Sequence, residues 1–212
     1  MMIRILLLII GYCCGLIETG YWYGRLKGID IRKEGSGNSG ATNSLRVMGK
    51  KAGLIVFLGD VLKCLIPCLI VLWIFKQKEP GNAYLYMVYT ATGVILGHNY
   101  PCYMNFKGGK GIACTAALIL MLDWRTTLVC LALFIITVAI TRFVSLGSLL
   151  VVTALFIMSV CFTQQGAYQL NASVRMEFCA VILFLTVLAY WRHRANIVRL
   201  LHGTENKIGV KK

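Results

Sequence analysis

Seven apolar runs alternate with polar connectors along this chain, at roughly 2–23, 52–75, 83–103, 111–123, 126–141, 146–163 and 176–191. A helix needs about 20 such residues to cross the hydrocarbon of a bilayer, and most of the runs approach that length. The fourth and fifth are short, and Asp123-Trp124-Arg125 between them reads as a tight external turn. A six-span arrangement that merges or drops one of this pair is the structural alternative. The chain shows no internal repeat and no coiled-coil heptad. The pattern predicts an all-α, polytopic membrane helix bundle with seven transmembrane helices, forming one integral-membrane domain over 1–212. The first run, MMIRILLLIIGYCCGLIETG, lacks a small-residue cleavage site and reads as a retained span.

Composition sharpens this picture. Only 14% of residues are charged and 58% are hydrophobic, far from the balance of a soluble domain. Mean hydropathy is +0.73. The nine cysteines are odd in number, lack CxxC spacing and sit mostly inside apolar runs, so they read as small buried hydrophobes. No His, Cys, Asp and Glu cluster has metal-ligand spacing, and neither metal nor cofactor is expected.

The net charge of +14 admits nucleic acid, anionic lipid or an anionic substrate as partner. Nucleic acid is excluded by placement, since the cations lie beside apolar runs and not in a separate basic domain. Taking the runs as alternating crossings, sixteen Lys and Arg fall on one side and five on the other, with Lys63 inside a run. The positive-inside rule then puts the N-terminus outside and the C-terminus in the cytoplasm.

Every polar connector of unusual composition falls on the cation-rich side. The longest is Gly35 to Arg46, GSGNSGATNSLR. Gly35, Gly37 and Gly40 permit positive φ and close backbone approach; Ser36, Asn38, Ser39, Thr42, Asn43 and Ser44 add short polar groups; Arg46 adds a forked cation. A second such loop, FKGGKG at Phe106 to Gly111, leads into the fourth run. Its Gly108, Gly109, Lys110 and Gly111 precede a helix N-terminus, a geometry suited to phosphate. GxxxxGK[ST] is absent, so this is no Walker loop.

Other polar residues carry two readings each. Asp60 and Lys63, one turn apart in the second run, form either an internal ion pair or part of a site. Glu18 meets either Arg25 or the polar loops, and His98 reads as a packing or hydrogen-bonding histidine. Pro101 either stops the helix of the third run or kinks it. Arg142 is a topology anchor or a phosphate ligand, and Ser145 has the position of an N-cap for the sixth run. In the tail, residues 191–202 mix cations with Ile197, Val198, Leu200 and Leu201, as an interfacial amphipathic helix would. His193 and Asn196 share one face of it.

Three blocks together resemble the bacterial acyl-phosphate:glycerol-3-phosphate acyltransferases of the inner membrane: GIDIRKEGSGNSGATNSLR followed by Asp60 and Lys63, GHNYP with FKGGKG and FVSLGS, and HRANIVRLLHGTENK. The resemblance covers nearly the whole chain. It implies transfer of a fatty acyl group from acyl phosphate to the sn-1 hydroxyl of glycerol 3-phosphate. The products it implies are lysophosphatidic acid and phosphate, in the first acylation of phospholipid biosynthesis. A multi-pass protein of the bacterial inner membrane with a cytoplasm-facing site is implied as well. The chain departs from the family's usual GSIPxG at Gly15-Leu16-Ile17-Glu18-Thr19-Gly20, has Ala195 where an acid is common, and has Cys64 where glycine is frequent.

On this reading His193, Asn196 and Ser36 are the candidate catalytic residues. Arg46, Asn38, Thr42, Asn43, Gly108, Gly109, Lys110, Gly111, Arg142 and Ser145 are the candidate substrate and phosphate ligands. The expected partners are glycerol 3-phosphate, acyl phosphate and membrane lipids; the oligomeric state is left open, a monomer included. A transporter or flippase for phosphorylated metabolites or lipids is the alternative function. It is disfavoured by the scarcity of intramembrane ionisable groups and the lack of an inverted repeat.

Overall fold

The computed structural model describes residues 1–209; residues 210–212, whose two lysines enter the charge count above, lie outside the described residues. Every regular element among the described residues is helical, and they contain no strand. Their helices are α1 (Met2–Gly15), α2 (Thr19–Leu26), α3 (Ala41–Met48), α4 (Lys50–Lys78), α5 (Ala83–Asn99), α6 (Ile112–Leu122), α7 (Trp124–Thr141), α8 (Val144–Gln164), α9 (Ala172–Arg192) and α10 (Arg194–Leu201). Five stretches are long and apolar enough to cross a membrane: Met2–Leu26, Lys50–Lys78, Trp124–Thr141, Val144–Gln164 and Ala172–Arg192. α6 is a shorter apolar helix, and α5 has 17 residues. The chain divides into two compact units, Met1–Leu118 and a second beginning at Ile119 within α6.

The first unit is built around α5, which packs against α1 and α4 and is buried along nearly its whole length. Glycines make the α1–α5 approach close. A Cβ on Gly11 or Gly15 would collide with the α5 backbone at Thr90 or Val94. One on Gly93 or Gly97 would collide with the α1 backbone at Leu8 or Tyr12. Such small-residue seams let apolar helices gain dispersion contact where no hydrophobic driving force separates protein from lipid. α5 stops at Asn99, two residues before Pro101, as that proline's effect on the preceding backbone requires.

The predicted first span is not continuous. α1 ends at Gly15 and the chain turns through Leu16-Ile17-Glu18 before α2 starts. A break exposes backbone carbonyls, which water cannot satisfy inside hydrocarbon. Side chains from elsewhere take the task here: the Tyr103 hydroxyl donates to Leu16 O (2.7 Å) and the Lys63 ammonium to Ile17 O (2.7 Å). Pro67, inside α4, has no N–H to give the carbonyl of Lys63 four residues earlier.

In the second unit α8 packs on α7 and α9, and α10 lies against α8 and α9. The expected turn between α6 and α7 is a single residue, Asp123. It is extended and caps α7 by accepting from Arg125 N (2.8 Å). The side-chain hydrogen bonds of Arg125 hold the Asp123 carboxyl below the usual carboxylate range. Because its pKa is depressed in the fold, the cap stabilises fully above the unfolded value of about 3.9 and is lost as pH falls through the folded one. Asp123→Ala should cost about 1 kcal/mol of stability at neutral pH in thermal unfolding, and much less in acid.

One sequence expectation fails in this unit. α8 starts at Val144 with Phe143 at the cap position, so Ser145 is not the N-cap. It is buried in the first turn, and its hydroxyl has no hydrogen-bond partner among the described residues.

Candidate functional site

Asn43, on α3, folds the first glycine-rich loop. Its Nδ2 lies within hydrogen-bond distance of the carbonyls of Ile31 (3.3 Å), Glu34 (3.0 Å) and Asn38 (2.9 Å). Its Oδ1 accepts from Ser36 N (2.9 Å) and, at 3.4 Å, from Arg46 Nη1. Gly35 and Gly37 take φ of +58° and +70°, as the composition predicts; Gly40 does not (φ −77°). A Cβ on Gly35 would run into Asn43 Oδ1. Asn43, expected to bind phosphate, is thus occupied inside the loop, while Ser36 and Arg46 are exposed on it. Asp30 and Arg32 close the preceding turn as a bidentate pair (2.9 and 2.8 Å), and those hydrogen bonds lower the Asp30 pKa.

The second glycine-rich loop folds back on the end of α5. Gly108 N donates to Asn99 O (3.2 Å) and Gly109 N to His98 O (3.0 Å). The glycines are required by packing: a Cβ on Gly108 would strike His98 O, and one on Gly109 would strike the His98 imidazole. Asn105, Phe106 and Gly111 adopt left-handed φ of 53°, 56° and 80°. For a bulky aromatic such as Phe106 that is a strained conformation. Asn38 joins the two loops, its Nδ2 donating to Gly108 O at 3.4 Å while its Oδ1 accepts from Gly40 N (3.0 Å).

Beneath both loops lies a buried polar cluster that hydropathy does not reveal. Lys63 Nζ lies 3.0 Å from Asp60 Oδ1, 2.8 Å from His98 Nδ1 and 3.6 Å from Glu18 Oε1. Glu18 Oε1 is also 2.8 Å from His98 Nδ1, and Glu18 Oε2 accepts from Ser39 Oγ at 2.6 Å. Thr19 Oγ1 donates to Asp60 Oδ1 (3.1 Å). All four ionisable residues are buried. Charges in such a place persist only when paired. The sequence left Asp60 and Lys63 open between ion pair and site, and Glu18 between Arg25 and the loops. The structure makes the first an ion pair and turns Glu18 to the loops.

Thr42, on α3, and Lys110, in the second loop, are half-buried in the first unit, whereas His193, Asn196, Arg142 and Ser145 belong to the second. His193 closes α9 and is only 2% exposed; its Nδ1 lies 2.8 Å from Ala189 O. A carbonyl only accepts, so Nδ1 carries the proton and Nε2 holds the lone pair of the neutral ring. Asn196 is also buried and donates to Glu205 Oε1 (2.8 Å), whose Oε2 accepts from Arg199 Nε (2.8 Å). Glu205, unremarked in the sequence, therefore anchors the tail on α10. The only signal for it is an acid inside HGTENK. Arg142 is exposed with φ +62°, and its carbonyl accepts from Ile208 N (2.9 Å).

Two polar glycine-rich loops are thus held together over buried charges in an all-helical apolar chain. The family model for glycerol-3-phosphate acyltransferase matches residues 5–203. The chain belongs to the glycerol-3-phosphate acyltransferase family. It is 42% identical to a glycerol-3-phosphate acyltransferase of Clostridioides difficile (strain 630), over 98% of this chain and 97% of that one. It is 38% identical to one from Prochlorococcus marinus (strain NATL1A), over 97% and 98%. Among solved structures it resembles PlsY (YgiH), an integral membrane glycerol 3-phosphate acyltransferase, in its glycerol 3-phosphate form. That likeness has a TM-score of 0.81 at 33% identity and covers 97% of this chain and 96% of the other. The lysophosphatidic acid form of PlsY matches with a TM-score of 0.79 at 32% identity, covering 97% of this chain and 95% of that one. The chain is therefore an integral membrane member of an enzyme family, and the transporter alternative falls away.

Proposed function

We propose that this acyltransferase moves a fatty acyl group from acyl phosphate to the sn-1 hydroxyl of glycerol 3-phosphate, releasing lysophosphatidic acid and phosphate. The observation that carries this reading is the joining, through Asn38 and Gly108, of the two glycine-rich stretches, of which one bears Arg46 and the other Lys110. Both substrates carry phosphate, and the donor has a chain to keep in lipid. Acyl phosphate is a mixed anhydride with a good leaving group, so positioning and charge neutralisation drive the transfer without a covalent enzyme intermediate. The hydroxyl oxygen attacks the acyl carbon, the acyl–phosphate bond breaks, and the hydroxyl proton passes to a base.

Each role follows from the residue's own chemistry. Lys110, Arg46, Arg142 and the hydroxyls of Ser36, Thr42 and Ser145 are assigned to phosphate and donor. Gly108, Gly109 and Gly111, with Asn38 and Asn43, are assigned to shaping the loops. His193 and Asn196 are assigned to the attacking hydroxyl. The same reading takes 1–212 as one acyltransferase domain of the bacterial inner membrane, crossing it seven times, with the site in the cytoplasm. The cation asymmetry supports that orientation.

Purified protein in detergent, given acyl phosphate and glycerol 3-phosphate, should form lysophosphatidic acid with no sealed compartment present. Failure of folded protein to do so overturns the reading. Lys110→Ala should weaken turnover at limiting substrate by about 2–3 kcal/mol, the range for a direct charge-assisted contact, read as kcat/KM. An unchanged value would remove Lys110 from the site.

A further inference from the structure

The carboxylate of Glu18 touches the supports of both glycine-rich loops, and the chemistry proposed above gives it no task. It stands at the break between α1 and α2, fully buried, on a backbone fixed by the Lys63–Ile17 and Tyr103–Leu16 hydrogen bonds. One oxygen accepts from Ser39 Oγ, within the first loop. The other makes no hydrogen bond among the described residues but lies in contact distance of the cations around it, 2.8 Å from His98 Nδ1 and 3.6 Å from Lys63 Nζ. The same imidazole fills the space above Gly109, and the His98 carbonyl accepts from Gly109 N.

We propose that Glu18 is a positioning residue for phosphate binding: it holds the first loop through Ser39 and the second through His98, and so sets the spacing of the cations those loops present. Asp60 differs in kind. It neutralises Lys63, accepts from Thr19 and lies farther from His98 Nδ1 (3.9 Å against 2.8 Å for Glu18), and it makes no hydrogen bond to Ser39. Neutralising Lys63 needs only one carboxylate, so charge balance alone does not require Glu18 in addition to Asp60. The second carboxylate fits a steering task, because only it has an oxygen for Ser39 as well as one beside His98.

The inference rests on the acyltransferase reading, and the test separates the two. Full-length protein in detergent is assayed with acyl phosphate and glycerol 3-phosphate as wild type, Glu18→Ala, Glu18→Gln, Ser39→Ala and the Glu18→Ala/Ser39→Ala double variant. Glu18→Ala should raise KM for at least one phosphate substrate by about tenfold or more, the scale of a misplaced binding group, with kcat per folded molecule less affected. Glu18→Gln should recover most of that loss, since an amide oxygen still accepts from Ser39. Adding Ser39→Ala to Glu18→Ala should change KM little, because the shared contact is already gone. If Glu18→Ala does not accumulate as folded protein, Ser39→Ala must still raise KM and Glu18→Gln must stay near wild type. Wild-type KM in Glu18→Ala or in Ser39→Ala, or additive effects in the double variant, overturns the proposal. An inactive wild type instead overturns the acyltransferase reading.

Discussion

His193→Ala should lower kcat by at least about 100-fold in protein that still folds, the lower bound of general-base assistance. The Nδ1 proton of His193 is fixed on Ala189 O, so the lone pair of the neutral ring sits on Nε2. A neutral imidazole with one defined basic nitrogen can take the glycerol hydroxyl proton as the oxygen attacks, or hold that hydroxyl in line. His202 provides the internal comparison. Its Nδ1 makes the same i−4 contact, with Val198 O at 2.8 Å, but its ring is exposed at the end of α10. His202→Ala should stay near wild type. His193→Gln separates the two roles, because glutamine hydrogen-bonds but is no base near neutral pH. Retention in Gln with loss in Ala means orientation; loss in both means proton transfer. Near-normal kcat in His193→Ala would make the residue structural.

Gly109→Ala should reduce kcat/KM by about 100-fold, as expected when a binding loop is displaced by roughly an ångström. The composition of FKGGKG suggests that a methyl there would obstruct a ligand. The geometry gives a different cause: the new Cβ would occupy the place of the His98 ring, which touches Lys63 and Glu18. Either the loop lifts or the imidazole leaves the cluster, and overpacking of this kind also costs about 1–3 kcal/mol. Gly109→Ala should therefore show a lowered thermal midpoint together with impaired kcat/KM. In a His98→Ala background, where the imidazole no longer fills that space, adding Gly109→Ala should lower the thermal midpoint little further. Wild-type kinetics and midpoint in Gly109→Ala would contradict the packing account.

Much of the fold was legible because hydropathy is a local property. α4, α7, α8 and α9 lie where their apolar runs predict, and Pro101 and Asp123 mark the breaks they should. The interruption at Leu16–Glu18 was hidden because Leu16 and Ile17 prolong the apolar run; what permits the break is Lys63 and Tyr103, far away in sequence. α3 was missed for the opposite reason. Gly, Ser, Thr and Asn read as loop, yet Ala41–Met48 is held helical beside a buried amide that ties Ile31, Glu34 and Asn38 together.

The site divides along the same line. The two loops announce themselves by composition, and His193 with Asn196 by helical spacing. Their support is only partly legible: Asp60 and Lys63 show as a pair by helical spacing, but their meeting with Glu18, Ser39 and His98 from three other segments depends on the close α1–α5 and α4–α5 packing. Likewise Asn43 looks like a ligand by residue type and is a clamp by position.

The donor and the hydroxyl that is acylated define the proposed reaction. Purified wild-type protein in detergent is given isotopically labelled glycerol 3-phosphate with either acyl phosphate or acyl-CoA, and the product's acyl position and the released phosphate are both measured. Acyl phosphate should give 1-acyl-glycerol 3-phosphate and inorganic phosphate in equal amounts, with no comparable turnover from acyl-CoA. Equal rates with acyl-CoA, or acylation at another position, would contradict that reaction.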